Sequence, residues 1–78
     1  MAYYQKWEYC TVTFGAGPGG LGNAVYVSFA SGNRLTYKGD ETELARVLSQ
    51  LGSEGWEATG GGGFSKDMSV IWVLKRPL

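Results

Sequence analysis

Histidine is absent from this chain and cysteine occurs once. The missing imidazole removes the commonest general base and the commonest metal ligand, so neither a Ser/His nor a Cys/His nucleophile can be assembled. One thiol forms no internal disulfide, and it falls short of the roughly four ligands of a structural zinc site. No run approaches the roughly 18 apolar residues of a membrane span. The stretch Met-Ala-Tyr-Tyr-Gln-Lys-Trp-Glu has neither the basic start nor the apolar core of a secretory signal. An excess of either charge is also missing: seven Lys and Arg balance seven Asp and Glu. Nucleic-acid-binding domains normally carry a basic excess, so a bulk electrostatic grip on phosphate is disfavoured. A free thiol suits a reducing compartment, and the expectation is a cytoplasmic protein outside the membrane, with no cofactor and no metal.

With 78 residues, the chain makes a single domain spanning 1–78, with no room for a second core. A core of this size supports a margin of only about 3–5 kcal/mol, and small domains usually supplement it with disulfides, a metal or oligomerisation. Only the last is open here.

What the chain has in quantity is glycine and aromatic residues. Tyr3–Phe14, rich in aromatic and β-branched residues, reads as a strand. Trp7, Tyr9, Thr11 and Thr13 lie on one side of it, Cys10, Val12 and Phe14 on the other. Gly15–Gly22 follows, with five glycines and one proline in eight residues, and reads as a loop. Asn23–Ala30 returns as a strand with Val25, Val27 and Phe29 on one side. Ser31-Gly32-Asn33 is a turn, and Arg34–Tyr37 is a short continuation or a third strand.

Asp40–Leu51 is the one helix. Leu44, Val47, Leu48 and Leu51 recur at helical spacing, Asp40 is an N-cap, Glu43 completes a capping-box variant, and Gly52 is placed to end the helix with φ > 0. Its stripe must dock on a sheet, since three turns are marginal alone in water. Gly55-Trp56-Glu57 opens a strand, the Gly60–Gly63 run and Phe64–Asp67 form a loose connection, and the strand Met68–Arg76 follows as the antiparallel partner. Its residues Met68, Val70, Trp72 and Leu74 face one way, Ile71 and Val73 the other, so both sides are apolar and both call for cover. Pro77 cannot donate to a ladder and ends the sheet. The expected fold is α+β: a single helix packed on a small antiparallel sheet, in the order β-β-(β)-α-β-β.

The glycine loop matches G-x-G-x-x-G twice, at Gly15, Gly17, Gly20 and at Gly17, Gly19, Gly22. A strand follows rather than a helix, so the dinucleotide reading lacks its context and a hairpin loop is favoured. Neither glycine run carries the Lys-Ser/Thr of a P-loop. Asp40, Glu41 and Glu43 are accounted for by the helix start. Cys10, inside an apolar strand, reads as a core residue. No catalytic residue emerges, and the expectation is a non-enzymatic protein.

Lys6-Trp7-Glu8-Tyr9, a helix reaching Leu51-Gly52, Glu54-Gly55-Trp56-Glu57 and Val73-Leu74-Lys75-Arg76-Pro77 together resemble the bacterial family called domain of unknown function 4177, over nearly the whole chain. The glycine-rich Gly15–Gly22 insert and the Gly60 run depart from its pattern. The resemblance implies a small α+β domain and brings no activity, cofactor or catalytic residue. On the residues themselves, Trp7 and Trp56 are expected to pack across neighbouring strands, and Lys75 and Arg76 to pair with Glu8 or Glu57 at the sheet end.

The functional expectation is a self-associating interaction or accessory module, a homo-oligomer whose interface uses Ile71, Val73, Trp7 and Tyr9, with an unidentified protein partner open. The alternative is a module for a small ligand or single-stranded nucleic acid. There, aromatics on the sheet face would stack bases and Arg34, Lys38, Lys75 and Arg76 would contact phosphates.

Overall fold

Asp40 stands in extended conformation and its Oδ1 accepts from the backbone N–H of Thr42 at 2.9 Å, starting α1 at Glu41–Ser53. A computed structural model describes residues 4–16, 23–64 and 70–78 and places α1 between three strands and two more. The strands are β1 (Trp7–Ala16), β2 (Asn23–Phe29), β3 (Arg34–Lys38), β4 (Glu57–Phe64) and β5 (Val70–Pro77). They form one antiparallel sheet in the order β3-β2-β1-β5-β4. The fold is therefore α+β, one helix on an antiparallel sheet, and Arg34–Lys38 is a true third strand.

Alternation along the strands sorts the sheet into two faces. Register sets Cys10, Val12 and Phe14 of β1 beside Phe29, Val27 and Val25 of β2 and beside Leu74, Trp72 and Val70 of β5. This face meets α1, and the core is Cys10, Val12, Val25, Val27, Val47, Leu51, Trp56 and Leu74. Of the helical stripe, Val47 and Leu51 are buried, while Leu44 and Leu48 are half-buried at its margin. Burying side chains of this size contributes about 1.5–3 kcal/mol each, which is what holds three turns of helix in place.

Several boundaries differ from the sequence reading. β1 starts at Trp7 rather than Tyr3, because its partner β5 runs out: Trp7 pairs with Pro77, and one further hydrogen bond, Leu78 N–H to Lys6 O at 2.9 Å, closes the ladder. β1 also runs two residues past Phe14, since Gly15 and Ala16 pair with Ala24 and Asn23. Residues 17–22 of the expected loop, and with them most of both G-x-G-x-x-G matches, lie outside the described residues, as do Met68 and residues 65–67 of the expected connection.

Gly52 does not end the helix; it lies inside α1. The left-handed residue is Gly55, at φ 95°. Its N–H bonds to Gly52 O and the Trp56 N–H to Leu51 O, at 3.0 and 3.1 Å, which is a Schellman closure, with Trp56 and Leu51 both buried in the core. Glu43 turns to Arg46, 3.0 Å away, instead of reaching back to the cap. Gly60–Gly63 is not a loose connection but part of β4, paired to β5 with register shifts between Ala58 and Gly60 and between Gly61 and Gly63. A ladder needs only backbone groups, and glycine absorbs the bulges that irregular pairing imposes.

A candidate interaction surface

Trp7, Tyr9, Ile71 and Val73 all project from the sheet face opposite α1. Trp7 and Tyr9 alternate with buried Cys10 on β1, and Ile71 and Val73 alternate with buried Leu74 on β5. Thr13 pairs with Ile71, Thr11 with Val73, and Tyr9 with Lys75, so Val73 is the diagonal neighbour of Tyr9 across the ladder. Their exposures are 36% for Trp7, 50% for Tyr9, 39% for Ile71 and 37% for Val73, large values for apolar side chains in the central strands of a sheet. Thr11, Thr13, Tyr26 and Ser28 fill the middle of the same face, and Arg34, Lys38, Lys75 and Glu57 stand towards its margins. The centre is thus uncharged and partly apolar, inside a charged border.

The three sequence signatures converge at one end of this sheet. Glu8 lies across from Arg76 and accepts a hydrogen bond from its Nε. The Arg76 guanidinium sits over the Trp56 ring at 4.4 Å, and its Nη1 donates to Glu54 O at 3.0 Å. On the opposite face, Lys75 Nζ stands 4.0 Å over the Trp7 ring and 3.8 Å from Glu57. The expected ion pairs are present. Trp7 and Trp56, however, do not pack on each other. They occupy opposite faces, because Trp56 follows the Schellman turn into the helix side, where its ring meets Phe29 at 6.0 Å. K-W-E-Y, E-G-W-E and L-K-R-P are therefore two cation–aromatic clamps, one per face: Arg76 ties β1 and β5 to the end of α1, and Lys75 ties β1 and β5 to β4.

The residues considered for chemistry are placed accordingly. Cys10 is 2% exposed, and burial pushes its thiol above the ordinary value of 9.0, with Arg76 opposing and Glu8 adding to the rise. A thiol held neutral is a poor nucleophile. Among the described residues no group of three or more His, Cys, Asp and Glu is placed to hold a metal. Of the cations considered for phosphate contact, Arg34, Lys38 and Lys75 reach the open face, while Arg76 is on the helix side and engaged by Glu8. Among the described residues no helix is long and apolar enough to cross a membrane.

Strand and helix patterns did not reveal a groove of about 360 Å³ between α1 and the β2–β3 hairpin. Its floor includes Val27, Phe29, Leu35 and Tyr37, and Glu43, Arg46 and Gln50 of α1 form its wall. The alternation Arg34-Leu35-Thr36-Tyr37-Lys38, apolar on the helix side only, was the signal for it. The chain matches no family model, no curated protein and no solved structure.

Proposed function

We propose that this chain is a non-enzymatic, self-associating accessory module of the cytoplasm, which pairs with a second copy through the sheet face opposite α1. Membership of the bacterial family whose signatures it resembles is part of this reading. The observation that carries it is the exposure of Tyr9, Ile71 and Val73 on that face beside neutral threonines, with Trp7 and the Lys75 above it at one end. Stable interfaces have this anatomy, a low-charge centre enriched in Trp and Tyr with a polar rim.

Size favours a symmetric partner that uses the whole face. Eight residues of strand span about 27 Å and five strands about 19 Å, or about 500 Å² in projection before side-chain relief is added. A stable complex covers about 800 Å² of accessible surface per partner. The Trp7 end must therefore take part as well as the centre, and a second copy meeting the same patch on itself satisfies this. Zero net charge lets two copies approach without repulsion.

Sedimentation equilibrium over a range of concentrations tests the reading. The wild-type chain is expected at twice its sequence mass. Val73→Glu places a charge at the centre of the face and should sediment as the monomer at the same concentration, with its helical circular dichroism retained. Tyr9→Lys is a second variant should Val73→Glu aggregate. A wild-type chain that is monomeric throughout refutes the proposal. Arg34 and Lys38 beside Tyr26, and Lys75 beside Tyr9, motivate a second reading, single-stranded nucleic acid on this face. Absence of oligonucleotide binding at low salt disposes of it.

A further inference from the structure

The geometry points to a second binding site, beside the open face: the outer edge of β3, which takes an extended peptide as a sixth strand, with apolar side chains towards the groove and acidic ones opposite Arg34 and Lys38.

The backbone argument comes first. Phe29 N–H bonds to Asn33 O at 3.0 Å and Gly39 N–H to Asn23 O at 3.2 Å, one at each end of the β2–β3 ladder. Antiparallel pairs alternate between bonded and non-bonded, so between these two the bonded pairs are Val27–Leu35 and Val25–Tyr37. The N–H and C=O groups of Arg34, Thr36 and Lys38 consequently point away from β2. Among the described residues no strand lies beyond them. Three residues in alternate positions thus present a repeat of donors and acceptors, the substrate of strand addition.

Side chains then specify the guest. Leu35, 43% exposed, and Tyr37 lie on the helix side and border the groove under Glu43, Arg46 and Gln50. A guest residue opposite either one projects into that groove, whose size falls in the range of about 300–1,000 Å³ typical of ligand sites. Arg34, Thr36 and Lys38 lie on the other face, so guest residues opposite them meet cation, hydroxyl and cation. Directly opposed charges of unlike sign stabilise a strand pair, and like charges destabilise it. The fitting segment reads acidic–apolar–polar–apolar–acidic.

The same rule disfavours a second copy of β3 in the register of fullest overlap. A twofold axis at Thr36 would set Arg34 of each copy against Lys38 of the other, two like-charge pairs in five residues. The other edge, β4, is a poorer template because two register shifts interrupt it.

Titration of the ¹⁵N-labelled full chain with the blocked peptide Glu-Val-Thr-Val-Glu, followed by amide shifts and hydrogen exchange, tests the site. The expected result is shifts at Arg34, Thr36 and Lys38 with slowed exchange of their amides, and an affinity about tenfold above that of Lys-Val-Thr-Val-Lys at low salt. The double substitution Arg34→Glu with Lys38→Glu should reverse that preference. No shift at β3 with millimolar acidic peptide overturns the proposal, as does equal affinity for the two peptides. Shifts confined to Ile71 and Val73 overturn it by placing the peptide on the open face. Slowed exchange of the Arg34, Thr36 and Lys38 amides that appears with rising protein concentration and no peptide overturns it by making a second copy the occupant of the edge. A monomeric chain that binds the peptide as expected would sink the self-association reading and leave this one standing.

Discussion

Replacing Arg76 separates a structural clamp from a functional site. Its guanidinium pairs with Glu8, stacks on Trp56 at 4.4 Å and donates to Glu54 O at 3.0 Å. The Arg76 and Glu8 side chains are 36% and 32% exposed, so solvent weakens their attraction and the ion pair contributes about 0.5–1 kcal/mol. The contact with Trp56 adds about 0.5–1 kcal/mol, and the bond to Glu54 O a similar amount at a solvent-exposed position. Arg76→Met, which keeps much of the stem, should therefore cost about 2 kcal/mol. In a domain of this size that lowers the melting temperature by about 8–16 °C, a large share of a margin of about 3–5 kcal/mol.

The assay is urea denaturation at one fixed protein concentration, because association shifts apparent stability by mass action. Glu8→Gln removes only the ion pair and should cost about 0.5–1 kcal/mol. The double-mutant cycle should return a coupling of similar size that shrinks in high salt. A residue retained for activity is often neutral or stabilising to replace. An Arg76→Met cost below about 0.5 kcal/mol, or no greater than that of Glu8→Gln, refutes the clamp and reopens the sheet end as a site.

Leu51→Asp buries an unpaired carboxylate in the core and should abolish folding, seen as loss of the cooperative melt, whereas half-buried Leu48→Asp should leave a measurable but weakened transition. Cys10 should react with a thiol reagent only as fast as the chain opens, and in denaturant at once. The fold holds the Cys10 thiol neutral, with its pKa raised from 9.0, while the unfolded thiol ionises near that value. Stability from this group is therefore complete below pH 9 and lost as pH rises through the folded value. The decline above pH 9 should be shallower in Cys10→Ala when unfolding is followed by urea at successive pH values.

Periodicity carried most of the architecture. Leu44, Val47, Leu48 and Leu51 define a helix whatever surrounds them, and the alternation of Cys10, Val12 and Phe14 or of Trp72 and Leu74 assigns each strand its buried face. The boundaries read wrongly were those that another strand decides. Gly15, Ala16 and the Gly60–Gly63 run have no propensity for a sheet, yet β2 and β5 supply ladders that their backbones join. Trp56 was misplaced for a related reason. Its side follows from the left-handed Gly55 two residues after the last helical turn, and a one-residue shift of the helix end reverses which face the tryptophan meets.

The open face was legible because it is written in single strands: Ile71 and Val73 contradict the rule that only one side of a small sheet is apolar. The β3 edge was not, since its meaning depends on which groups point away from β2, a property of pairing parity rather than of composition. Two hydrogen bonds, at Asn33 and Gly39, decide it. Had the register slipped by one, Leu35 and Tyr37 would turn outward with their backbone groups, the groove would lose its border, and the cations would face α1. The five residues Arg34–Lys38 therefore act as a unit. Their alternation sets the groove on one side, the charges on the other and the free hydrogen-bonding groups between them, which is why a guest strand must match all three at once.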